Sequence, residues 1–234
     1  ISIPYIVGAN NENDIIFQSE VKDSSKVYLI GSNTSSDNYV VRLDSVNGVT
    51  FRYMGLSTIG TYYYNRVFEI LEASKNINIY NCNLRGSTYN TTSNSEAIIY
   101  LYNPNSSIPS FNNVEIYNNR FTRGEYGIYA YGYSSLGYGR DLDIHHNNFE
   151  DQYYTGTYLE YVNNFHINNN AIYHTSTSGY GSGFGIYASY CADGFELTNN
   201  TIYNQEYYGV YMYDCDGKYQ DTSLFANNFI HCRT

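Results

Sequence analysis

The chain has 234 residues and a formal net charge of −10, with 22 acidic side chains against 12 Lys and Arg. That balance excludes nucleic acid and anionic membrane as partners, since both need a basic footprint, and no apolar run approaches the roughly eighteen residues of a membrane span. With 42% hydrophobic residues a continuous core is within reach and disorder is excluded, while 31 Tyr, abundant Asn and no Trp give the composition of an extracellular or cell-surface protein.

Residues 1–38 are the least regular and are expected to form an N-terminal cap or opening rung. Within them 15–17 and 27–31 read as strands and 32–38 as a loop. From Tyr39 to the C-terminus one frame recurs: an apolar residue, a polar or small residue three positions on, then an apolar residue two further. It runs as Phe51…Met54…Leu56, Ile79…Cys82…Leu84, Ile116…Asn119…Phe121, Ile144…Asn147…Phe149, Ile167…Asn170…Ile172, Leu197…Asn200…Ile202 and Leu224…Asn227…Phe229. A repeat every roughly 23 to 37 residues is the mark of a solenoid, which is one domain of any length. Alternation around Val114 and Ile116 gives each frame a strand with one buried face. Another strand precedes it, at 41–43, 68–71, 99–101, 128–130, 158–160, 186–188 and 210–212. A third begins directly after each Asn.

Three short strands per turn, no helical periodicity and few prolines describe an all-β, single-stranded parallel β-helix of seven to eight rungs. The repeated Asn is expected to take the left-handed conformation of the turn, which Asn tolerates better than other residues with a side chain. Its amide can bond the rung above and below. With this the chain resembles the right-handed β-helix proteins of the pectate-lyase-like superfamily and their asparagine ladder, over roughly residues 39–230. The ladder would run through Asn119, Asn147, Asn170, Asn200 and Asn227, departing from Asn at Met54 and Cys82. The chain stops directly after a core strand with no obvious cap, so a module of a larger parent protein is expected. Insertions at 57–66, 85–96, 103–112, 132–141, 150–156 and 173–184 would wall the binding face.

Stacking the rungs turns positions into columns. On the preceding strand one outward column reads Arg42, Ile70, Tyr100, Tyr129, Tyr158, Tyr187 and Tyr211, and the next reads Asp44, Glu72, Tyr102, Tyr131, Glu160, Ser189 and Tyr213. Aromatic faces stack on sugar rings, and phenols and carboxylates bond hydroxyls, so Tyr100, Tyr129, Tyr131, Tyr158, Tyr187 and Tyr211 are candidate glycan contacts. Cross-strand tyrosine ladders also stabilise sheets without any ligand. The resemblance implies that this sheet floors a polysaccharide groove. Glu160 interrupts the tyrosines as a candidate general acid, or as a hydrogen-bonding carboxylate; a second acid would have to come from Asp151 or Asp193.

The frame-bearing strand presents Thr50, Asn78, Glu115, Asp143, His166, Glu196 and Ser223, with Tyr117, His145 and Asn168 alongside. Glu115 and Asp143 on adjacent rungs are like charges that call for a proton, a cation or a substrate between them. Glu115, Asp143 and His166 are therefore candidate acid–base groups, calcium is the cation this donor set would take, and no cofactor is required. A hydrated acidic face is the alternative. Cys191 and Cys215 fall at matching points of successive repeats, as a disulfide or as two stacked thiols. Signatures of the superfamily's polygalacturonases, alginate epimerases and pectate lyases are missing, with only Lys22, Lys26, Lys75 and Lys218 as lysines and Arg120, Arg123 and Arg140 as a mid-chain cluster.

Three functions follow: an extracellular carbohydrate-binding or surface-adhesion module that takes a poly- or oligosaccharide on its tyrosine face, a polysaccharide hydrolase or lyase, or a structural spacer of a cell envelope or viral fibre whose tyrosines pack against neighbouring copies.

Overall fold

The computed structural model describes residues 1–59, 63–88, 92–103, 110–134, 137–175, 183–217 and 222–233. Three parallel sheets of eight strands each run along it, and every turn of the chain gives one strand to each sheet, so the eight turns form a parallel β-helix. Residues 1–31 provide the first turn, through Ser2–Ile3, Ile15–Gln18 and Tyr28–Gly31. A turn from the middle of the chain reads Tyr126–Tyr131 in the first sheet, Gly139–His145 in the second and Asn148–Glu150 in the third. Most residues outside the description fall within the insertions expected to wall a binding face, and that expectation lies with them.

Alternation decides which face is buried. In Asn112–Tyr117 the side chains of Val114 and Ile116 enter the core, and Glu115 and Tyr117 face outward. The register then stacks like on like: Ile79, Ile116, Ile144, Ile167 and Leu197 form one buried column of the second sheet. Leu84, Phe121, Phe149, Ile172 and Ile202 form another in the third. Phe121 and Phe149 stack with ring centroids 4.4 Å apart. These columns merge into one continuous core.

Between the second and third sheets the chain turns within two residues, and the inward amides satisfy the backbone there. Asn147 Nδ2 donates to the Ile116 carbonyl at 2.7 Å and to Asn170 Oδ1 at 3.2 Å, while its Oδ1 accepts from the Asn119 backbone N–H at 3.0 Å. Asn119, Asn170 and Asn200 repeat the arrangement.

The structure corrects the expected turn in two ways. The left-handed residue is the one before the inward side chain, namely Asn81, Asn118, His146, Asn169 and Asn199, with φ between 52° and 58°. An inward side chain and the left-handed kink are separate jobs on consecutive residues. In the last turn the amide belongs to Asn228, which bonds Asn200 and the Leu197 carbonyl, while Asn227 takes the left-handed place. The last frame is therefore Phe225…Asn228…Ile230, in register with Leu197 and Ile202. At Cys82 a thiol fills the amide's place and donates weakly to the Tyr80 carbonyl at 3.3 Å.

Candidate functional site

The first sheet carries the tyrosine column. Pairing sets Tyr100, Tyr129, Tyr158, Tyr187 and Tyr211 side by side. Their rings stack at 5.4, 4.8, 4.5 and 5.1 Å between successive centroids, with interplanar angles of 14°, 3°, 5° and 18°. At the N-terminal end the Arg66 guanidinium lies 3.4 Å from the Tyr100 centroid. Arg66 and Arg42 each hold Glu69 at 2.6 Å.

This geometry revises how the tyrosines can act. Interior rings have both faces covered by neighbouring rings, so a sugar cannot lie flat on Tyr129, Tyr158 or Tyr187. What the ribbon presents outward is ring edges and hydroxyls, which bond to hydroxyl groups rather than stack on them. Tyr100 is only 6% exposed and is removed from the contact set. The column also differs in register from the sequence reading. Glu69, not Ile70, pairs with Arg42 and Tyr100, and Leu71, not Glu72, pairs with Asp44 and Tyr102. Ile70 is a core residue at 1% exposure.

Glu160 lies where expected, beside Tyr131 in register and with Tyr158 two residues before it. Tyr158 Oη donates to Glu160 Oε2 at 2.6 Å. Burial, and then this bond to Glu160, hold the Tyr158 phenol well above the usual tyrosine range, so it stays a protonated donor. Burial with Glu160 as the next contributor pushes Tyr131 up to about 12. Neither acid named as a partner for Glu160 is uncommitted. Asp151 accepts from the Thr175 backbone and hydroxyl at 2.7 Å each, and Asp193 accepts from Asn163 at 2.8 Å.

Two residues of this face escaped the sequence reading. Tyr161 and Tyr190 follow the first-sheet strands with φ of 55° and 52°, a conformation unfavourable for a bulky side chain. Their rings stack 5.1 Å apart, and Tyr161 meets Tyr131 edge-on at 5.8 Å. They form a second aromatic pair, and Tyr161 directly follows Glu160 at the end of its strand. The signal was available, since both are tyrosines directly after the last strand residue, where Asp214 stands one turn later.

The second sheet brings Glu115, Asp143 and His166 onto adjacent rungs as expected, with Leu224 rather than Ser223 continuing the column. Each of the two acids is paired with a histidine. His166 Nδ1 lies 2.6 Å from Asp143 Oδ1, and His145 Nε2 lies 3.1 Å from Glu115 Oε1. The bond to Asp143 raises the His166 pKa against the opposing effect of burial. The stripe is a row of carboxylate–imidazole pairs, and among the described residues no group of three or more His, Cys, Asp or Glu is placed to hold a metal ion. Cys191 and Cys215 are free thiols that share a hydrogen bond, which together with burial raises the Cys191 pKa.

The third sheet has a cleft of about 580 Å³ lined by Arg85, Arg120 and Arg123 among others. Arg140 is not with them: it belongs to the second sheet, 4.0 Å from Asp193. Among the described residues no helix is long and apolar enough to cross a membrane.

The structure resembles that of the GH136 lacto-N-biosidase from Eubacterium ramulus, with a TM-score of 0.64 and 13% sequence identity over 99% of this chain. The match spans 48% of that protein, so the chain corresponds to about half of its length. No curated protein sequence matches the chain. The family model describing a right-handed β-helix region matches residues 6–233. With the three parallel sheets and eight turns in view, the chain belongs to the right-handed β-helix family.

Proposed function

We propose that the chain is an extracellular carbohydrate-binding module whose contact face is the first sheet from Tyr129 to Tyr211. The observation that carries this reading is the bond from Tyr158 to Glu160 within the ribbon of phenol edges, at the strand end that leads into the Tyr161–Tyr190 pair. Phenol donors beside a carboxylate acceptor match the hydroxyls of a neutral glycan, and the flanking rings supply apolar contact. The saccharide chemistry named for the structurally similar lacto-N-biosidase adds support, at the level that one fold permits.

A second reading, hydrolysis, rests on the same carboxylate. Glu160 would act as the acid, and a partner carboxylate would have to come from outside the pairs already described. One experiment separates the two. The chain is screened on a glycan array, hits are incubated with the protein, and products are sought. Binding without products is expected, weakened about tenfold by Tyr158→Phe, which removes the donor and keeps the stack. Products that vanish in Glu160→Gln would replace the binding reading with the enzymatic one, and hits indifferent to Tyr158→Phe and Glu160→Gln would remove the first sheet from the account.

A further inference from the structure

The third sheet concentrates positive charge on an otherwise acidic molecule. Arg85, Arg120 and Arg123 line one cleft, so three of the chain's 12 Lys and Arg converge there against a net charge of −10. The register explains the convergence. Arg85 pairs with Thr122 and Arg120 with Asn83, which sets the two arginines diagonally on neighbouring strands, and Arg123 directly follows the Arg120–Thr122 strand.

Two acids share the cleft, and both are engaged. Glu150 accepts from Arg120 Nη2 at 2.8 Å and from its Nε at 3.2 Å. Asp151 is held by Thr175. Among the described residues neither Arg85 nor Arg123 has a carboxylate within ion-pair distance. Once the pairs are made, two guanidinium groups are left over at the cleft wall.

At its other end the cleft offers an aromatic ring with no stacking partner among the described residues. Tyr28 is 54% exposed, and its ring fills the space beside Gly55, where a β-carbon would collide with a ring carbon. Glycine there lets the ring settle onto the sheet. This differs from the first sheet, where interior ring faces are covered by other rings.

We infer that this cleft is a second binding site, for a single anionic sugar unit bearing a carboxylate or a sulfate. The guanidinium forks of Arg85 and Arg123 take the anion, since planar donors in a fixed fork match such groups. Tyr28 takes the apolar face of the sugar ring. The volume of about 580 Å³ falls within the ~300–1,000 Å³ of small-ligand sites. The net charge sets the limit of one unit, because a long polyanion leaving the cleft would meet a predominantly acidic surface. The site stands apart from the first-sheet reading and does not depend on it.

The test is titration calorimetry of the whole chain with three probes of one disaccharide scaffold: glucuronate-terminated, glucose-terminated and 6-sulfated. Saturable binding of an acidic probe is expected, at least tenfold tighter than the neutral one and weakening as salt rises. Preference between the glucuronate and sulfate probes identifies which anion the cleft takes. Arg85→Gln with Arg123→Gln should weaken the acidic probe at least tenfold, whereas Arg140→Gln should leave it unchanged. Arg85→Lys should recover only part of the loss, since it restores charge without the fork. No binding of either acidic probe, equal binding of the neutral one, or no effect of the double substitution in a protein with an unchanged melting curve would each overturn the assignment.

Discussion

His174 is 3% exposed, with Nδ1 3.8 Å from Asp151 and, among the described residues, without a hydrogen-bond partner at that atom. Burial lowers its pKa from 6.5 to about 4. The unfolded chain therefore binds a proton at this site between those two values while the folded chain does not. Stability is full above the unfolded pKa and falls as the pH drops from 6.5 toward 4. His174→Leu should flatten that acid limb by about 3 kcal/mol in urea unfolding between pH 7 and pH 4. An unchanged limb would assign acid sensitivity to other groups. The same scale shows what single residues conceal in the sequence. Asn118-Asn119, Asn169-Asn170, Asn199-Asn200 and Asn227-Asn228 each offer two candidates for the inward amide. Hydrophobic spacing selected the correct one in the first three and the wrong one in the last. There Leu224-Phe225 supplies two apolar residues in a row, and only pairing with Leu197 decides between them.

A four-residue signature in the strands of the first sheet carries more than its tyrosines. Tyr126-Gly127-Ile128-Tyr129, Thr155-Gly156-Thr157-Tyr158, Phe184-Gly185-Ile186-Tyr187 and Tyr208-Gly209-Val210-Tyr211 stack in register. The glycines form a column that admits apolar side chains from the third sheet. A β-carbon on Gly156 would meet Ile172 Cγ2 at 2.7 Å and the Gly185 carbonyl oxygen at 2.7 Å. The second of these is backbone, which cannot swing aside. Gly156→Ala is expected to destabilise by about 1–3 kcal/mol, as overpacked cores do, read as a lower midpoint in chemical denaturation. A midpoint at or above that of the parent chain would show that the column is not packed this tightly. Strand-level reading of the sequence succeeded where alternation was clean and slipped where it was not. In Phe68–Leu71 the outward Leu71 is as apolar as the inward Ile70, so hydrophobicity alone gave no phase and the column was displaced by one residue.

At the scale of the molecule, the fold was legible because one frame repeats, and repetition multiplies a weak local signal. The functional faces were legible only in part. Columns predicted which residues are neighbours, and Glu160, Tyr131, Tyr158, Tyr187 and Tyr211 do share a face. Columns did not reveal that stacked rings cover one another, nor that Arg66 covers Tyr100, because ring orientation depends on side-chain packing across rungs. The third-sheet cleft was hidden for another reason. Its strands in mid-chain are three residues long, such as Arg120–Thr122, too short for a periodic signal, and Arg85 lies a full turn away in sequence.

The measurement that tests the central claim most directly is a nuclear magnetic resonance titration of the chain labelled with ¹³C at the tyrosine rings, using the best neutral glycan from the array. Ring signals assigned through Tyr→Phe variants should shift for Tyr131, Tyr158, Tyr187 and Tyr211 and remain still for Tyr28, Tyr80 and Tyr117. Shifts confined to Tyr28, or to the second-sheet tyrosines Tyr80 and Tyr117, would contradict the assignment of the first sheet as the glycan face.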